Sequence, residues 1–123
     1  MITGEFVNGD RAMISAGIAW NNTVRQPSFI LDTGFTGDLV VTPDIAHDIG
    51  LEITGATPAR MATNAVVLVP TATAFGVMEG MTVYVTVLIT EGAPLLGISF
   101  LEKFRYKAVV DCRNKEVHLK RMA

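Results

Sequence analysis

The stretch FILDTGFTGDLVV, Phe29 to Val41, runs strand-forming apolar residues straight into one carboxylate, Asp32, followed by Thr33 and Gly34. Burying a lone charge is costly unless something pairs with it. Two carboxylates held about 3 Å apart cannot both ionise, so they share a proton and split their pKa values. The charged member can activate a water as general base while the protonated one polarises a carbonyl. The chain holds one Asp-Thr-Gly. A pair therefore requires a second copy, since a residue near a two-fold axis meets its own image.

Two other readings compete. Asp, Thr and Gly are common turn residues, and the tripeptide can be an ordinary bend. It can also be a phosphate loop, in which glycines let backbone N–H groups approach an anion. Folds that use such a loop need two lobes, for which 123 residues leave little room, and the chain has no Gly-x-x-x-x-Gly-Lys-Ser/Thr.

Other reactive side chains read as structural. His47 and His118 lack metal-ligand neighbours at useful spacing and read as surface residues. Cys112 has no evident base and reads as a buried thiol. Asp38, Asp44 and Asp48 read as turn, first-turn and helix-surface charges. Trp20 reads as core or interface. Met61 and Met78 read as gap-fillers that could line a groove.

Strands must position these residues. EFVNGDRAMI carries Asn8-Gly9, which accepts positive φ in a tight hairpin turn. SAGIAW leads to a polar loop, NNTVRQP, and Ser28 to Leu31 then form the short strand that delivers Asp32. TATAFGV and TVYVTVLIT flank MEG as a hairpin. Val83, Val85, Val87 and Ile89 share one face of it, the period of a strand. YKAVVDC and EVHLKRM flank RNK as another. Two short helices interrupt the strands. TPDIAHDIG has Thr42 as N-cap, Pro43 at the first position and Gly50 as the stop. Ile98 to Phe104 turns Leu101 and Phe104 inward. No repeat or linker is visible, which predicts one mostly-β domain over residues 1–123.

Composition narrows the partners. Hydrophobic residues make up 50% and charged residues 18%, against about 25% charged in ordinary domains. The shortfall predicts that another copy covers part of the surface. A formal net charge of -2 argues against a nucleic-acid partner. The basic residues Arg113, Lys115, Lys120 and Arg121 read as a solvated edge strand. No apolar run reaches the roughly 18 residues of a membrane span, and no signal peptide is visible at the N-terminus. A single cysteine makes a reducing cytoplasm the expectation.

ILDTG followed by PLLGISFLEKF resembles the paired signatures of the retropepsin-like (retroviral-type, clan AA) aspartic proteases, in their small prokaryotic form. The resemblance implies an all-β fold, a closed barrel or acid-protease half-fold with one C-terminal helix and here one extra short helix. It implies a homodimeric aspartic endopeptidase acting on an extended peptide, with no cofactor, no metal and no membrane. Asp32 would be the catalytic carboxylate. Thr33 would brace the paired loops across the two-fold axis, Gly34 would let substrate backbone approach, and Leu96 and Gly97 would cross behind the loop. A flap hairpin would place Met61, Ala62, Thr63, Asn64, Ala65 and Val66 over the substrate beside Gly34 and Phe35, bonding its main chain as an added strand. Three features depart from that pattern. Phe35 replaces a small or hydroxyl residue, the flap tip lacks multiple glycines, and the segment after the helix is longer than one strand. They keep open a second expectation, the same fold used for dimerisation or peptide binding with chemistry weak or lost.

Overall fold

The computed structural model describes residues 1–60 and 63–123. In chain order the elements are β1 (Ile2–Thr3), β2 (Glu5–Val7), β3 (Arg11–Ser15), β4 (Gly17–Trp20), β5 (Thr23–Arg25), β6 (Ser28–Leu31), β7 (Leu39–Val41), α1 (Pro43–Ile49), β8 (Gly55–Arg60), β9 (Val66–Met78), β10 (Met81–Ile89), β11 (Leu95–Leu96), α2 (Ile98–Lys103), β12 (Tyr106–Asp111) and β13 (Glu116–Arg121). This is the mostly-β chain with two short helices that the sequence predicts.

Turn chemistry sets the hairpins. Asn8 and Gly9 (φ 55° and 73°) turn β2 into β3, and Glu79 and Gly80 (φ 47° and 77°) turn β9 into β10. Positive φ at both central residues matches the right-handed twist of the flanking strands. NNTVRQP is not the plain loop predicted for it. Asn21 and Asn22 both take positive φ (45° and 68°) and fold β5 back on β4. Asparagine tolerates this conformation better than other side-chain-bearing residues.

Among the described residues ten strands form one sheet in the order β2-β3-β6-β11-β7-β10-β9-β4-β5, with β8 paired to β9. It curls into a half-barrel whose concave side is filled by Ile14, Ile18, Phe29, Leu39, Val85, Val87 and Leu96, each at most 1% exposed. A second sheet, β1-β13-β12, closes one end. Val117 and Leu119 of β13 are fully buried and join the same core. Phe100 and Phe104 of the α2 segment, ring centroids 4.6 Å apart, pack beneath the large sheet. A Cβ on Gly76 of β9 would lie 3.0 Å from the Phe104 ring, so the glycine allows that contact.

Both helices start where the sequence places them. Thr42 Oγ1 accepts from Ile45 N (3.2 Å), and Gly50 closes α1 in the left-handed region at φ 78°. α2 ends at Lys103, one residue short of the predicted end, with Phe104 as its C-cap.

Five side chains stand elsewhere than predicted. Asp38 is no turn charge: it is 3% exposed and ion-paired. Cys112 is exposed rather than buried, because it falls in the β12–β13 turn. His118 is half-buried, on the central strand of the small sheet. β13, which carries Lys120 and Arg121, is likewise that central strand and not an edge. Arg121 reaches back to donate to Met78 O (2.9 Å) and Phe104 O (3.3 Å). Met78 is core, 4% exposed. Among the described residues no helix is long and apolar enough to cross a membrane.

Candidate active site

β6 enters the half-barrel with Phe29 fully buried, and the chain leaves the strand at Asp32. The two-residue strand β11 lies between β6, to which it runs parallel, and β7, to which it runs antiparallel. This crossing fixes the backbone under the carboxylate. Ile30 N donates to Pro94 O and Asp32 N to Leu96 O, both at 2.9 Å. Leu96 is fully buried, so the support is anchored in the core.

Asp32 is half-buried. Its Oδ1 accepts a hydrogen bond from Gly34 N at 3.0 Å, and its carbonyl accepts from Phe35 N at 3.2 Å. The loop therefore bends back on the carboxylate and orients it. Thr33 and Gly34 are exposed. A Cβ on Gly34 would sit 3.3 Å from Asp32 Oδ1, crowding the oxygen that Gly34 N bonds.

The rest of the loop is clamped to the start of α2. Gly97 N donates to Asp38 O (2.9 Å), Ile98 N to Phe35 O (2.9 Å) and Ser99 N to Gly37 O (3.2 Å). The Phe35 ring lies across two glycines. A Cβ on Gly37 would come within 2.6 Å of its Cζ, and one on Gly97 within 2.6 Å of its Cδ2 and 2.2 Å of Gly37 O. Gly97 can only be glycine without moving the loop.

Sequence reasoning missed the polar anchor of this loop. Asp38 Oδ2 accepts from Lys103 Nζ at 2.6 Å and from Thr86 N at 2.8 Å, tying the loop to α2 and β10. Asp38 Oδ1 has no hydrogen-bond partner among the described residues. The available signal was a carboxylate set directly before the apolar run Leu39–Val41.

A groove of about 460 Å³ opens beside the loop. Val40, Leu88 and Leu95 form walls from the sheet, Phe35 adds one from the loop after β6, and Ala59 and Val69 come from the β8–β9 hairpin. Arg60 and Glu91 bring opposite charges, and Thr90 a hydroxyl, into this mostly apolar lining. Thr63, Asn64, Ala65 and Val66 lie at the turn of that hairpin and are all exposed. Asn64 takes φ 70°, and Arg60 Nη1 donates to its O (3.2 Å) and Oδ1 (3.3 Å), spanning the turn. Met61 and Ala62, assigned to the same turn, lie outside the described residues. No hydrogen bond among the described residues joins the turn to Asp32. No group of three or more His, Cys, Asp or Glu among them could hold a metal ion.

Several solved structures share this architecture. A retropepsin-like aspartic protease from Rickettsia conorii is 22% identical, with a TM-score of 0.67 over 99% of this chain and 90% of that one. EIAV protease complexed with the inhibitor HBY-793 is 18% identical, with a TM-score of 0.66 over 85% of this chain and 98% of that one. No protein-family model and no curated protein sequence matches the chain. The fold is retropepsin-like.

Proposed function

We propose that this chain, as one domain over residues 1–123, is an aspartic endopeptidase that works as a homodimer, with one site built from Asp32 and its symmetry mate. One observation carries the reading. A half-buried carboxylate is oriented by Gly34 N, on a loop braced from below, beside an apolar groove that a β-hairpin helps to wall.

Two such carboxylates facing across a two-fold axis share one proton, because like charges at hydrogen-bond distance cannot both persist. The ionised one takes a proton from a water lying between them, and the water oxygen attacks the peptide carbonyl carbon. The protonated one gives its proton to the carbonyl oxygen. The resulting tetrahedral diol passes a proton to the amide nitrogen, the C–N bond breaks, and acid and amine leave. Thr33, exposed next to Asp32, braces one loop against the other across the axis. The groove takes an apolar side chain of an extended peptide, and the hairpin turn, Thr63 to Val66 with Met61 and Ala62, covers the peptide main chain. Neither metal nor cofactor enters these steps. An exposed, unpaired Cys112 suits a reducing compartment such as the cytoplasm.

The test is peptidolysis of denatured protein between pH 4 and pH 7 by the wild type and by Asp32→Asn, with solution mass measured for both. Cleavage by the wild type and a loss of roughly 10³-fold or more in the variant, with dimer mass and peptide affinity kept, supports the protease. A dimeric wild type that cleaves nothing across this range leaves the fold to dimerisation or peptide binding.

A further inference from the structure

The groove beside the Asp32 loop is walled by Val40, Leu88 and Leu95, yet two charges stand in its lining, Arg60 and Glu91. They come from different elements, Arg60 from the end of β8 and Glu91 from the loop after β10. Among the described residues they do not pair with one another, and Glu91 forms no ion pair at all. Arg60 is occupied otherwise. Its Nη1 donates to Asn64 O (3.2 Å) and Oδ1 (3.3 Å) across the hairpin turn. Glu91 is exposed, and the backbone on either side fixes its place. Thr90 N donates to Val41 O (3.0 Å), and Gly92 turns the chain at φ 115°. The Thr90 hydroxyl lines the same groove and offers a second acceptor.

We infer that Glu91 selects a lysine or arginine side chain of the bound peptide, its stem lying on the apolar walls of this groove. The inference rests on the protease reading, and it narrows the side chain given to this groove from apolar to apolar with a cationic tip. Two observations choose a cation over an anion. The charge of Glu91 is unmatched among the described residues, whereas the Arg60 guanidinium already has acceptors. The occupant must also cover Val40, Leu88 and Leu95, and only lysine and arginine join a long apolar stem to a charge. An aspartate or glutamate drawn to Arg60 would leave most of that wall bare. Repulsion from Arg60 keeps the cationic tip on the Glu91 side. An ammonium has three donors and a guanidinium five, enough for the carboxylate and the Thr90 hydroxyl together. Hydrogen bonds between ionised partners are stronger than neutral ones. A two-fold dimer carries the groove twice, so the preference falls at matching positions on both sides of the cut.

Peptides that differ only at such a matching pair of positions, as Lys, Met or Glu, test this. Methionine reproduces an unbranched apolar stem without the charge. The readout is the ratio of kcat/KM for Lys over Met within each variant, which cancels any loss of folded enzyme. Near the upper end of the range pH 4 to pH 7, the wild-type ratio exceeds that of Glu91→Gln about threefold to tenfold for the two contacts. The difference shrinks at high salt, and Glu91→Lys turns the preference towards the Glu peptide. If the wild type cleaves but the ratio is the same in Glu91→Gln, or the wild type cuts the Glu peptide best, Glu91 does not select the substrate while the protease reading stands. If the wild type cleaves none of them, the protease reading fails. Dissociation constants of the same peptides, from fluorescence anisotropy on wild type and Glu91→Gln, then decide the selection by Glu91 through the same ratio. Peptides that are neither cut nor bound overturn both.

Discussion

At the residue scale, the groups that matter are polar atoms placed where the core would otherwise be apolar. Asp32 is oriented by Gly34 N alone among the described residues, which leaves its other oxygen open to a water and a second carboxylate. Asp38 is the reverse case, a carboxylate buried to hold backbone. Removing one partner of a buried pair strands the other charge, at a cost of about 3–5 kcal/mol. Lys103 is partly exposed, 37%, so Asp38→Ala falls at the lower end, about 3 kcal/mol by urea unfolding, with Thr86 N also orphaned. Tyr106 carries a pH signature. Burial pushes its hydroxyl up to about 12, helped by the bond it donates to Glu79 Oε1 at 2.8 Å. The unfolded chain then loses this proton near pH 10, before the folded one does. The stability tied to Tyr106 is complete below pH 10 and is lost as pH rises towards about 12. Unfolding free energies of the wild type and Tyr106→Phe across that window should diverge in slope, the wild type falling more steeply. Parallel curves would show that Tyr106 ionises alike in both states.

At the element scale, the loop after β6 is shaped by β11 below and α2 behind, and the glycines record how closely they approach. Gly97→Ala drives a methyl to within 2.2 Å of Gly37 O, so the loop must move. A loss of about 1–3 kcal/mol in stability should accompany a fall in peptidolysis larger than that destabilisation explains. Unchanged cleavage would mean that the loop's position is not critical. Much of this was legible in the sequence because the signals are local. Asn8-Gly9, the alternation from Val83 to Ile89, and Thr42-Pro43 with Gly50 each act within a few residues. The crossing of β11 behind Asp32 was legible only through its likeness to a known pair of signatures, since two residues carry no periodicity. The burial of Asp38 had one local signal, its place directly before Leu39–Val41, while its partners Thr86 and Lys103 were not legible because they lie 48 and 65 residues away. The β4–β5 hairpin was missed although Asn21-Asn22 announces it, because a polar pair was read as solvation rather than as backbone conformation. Cys112 was read by residue type, when its position in a turn decides its exposure.

At the scale of the whole molecule, the half-barrel leaves the carboxylate half exposed, and on the proposed reading a second copy completes the site. Subunit mixing tests the claim that two Asp32 residues make one site. Wild type and Asp32→Asn are combined at constant total protein, under conditions where subunits exchange freely. If one active site needs both carboxylates, only wild-type pairs cleave, and activity falls as the square of the wild-type fraction, to about a quarter in an equal mixture. Activity that falls in direct proportion, to about half, would contradict it, because each Asp32 would then be working without the other.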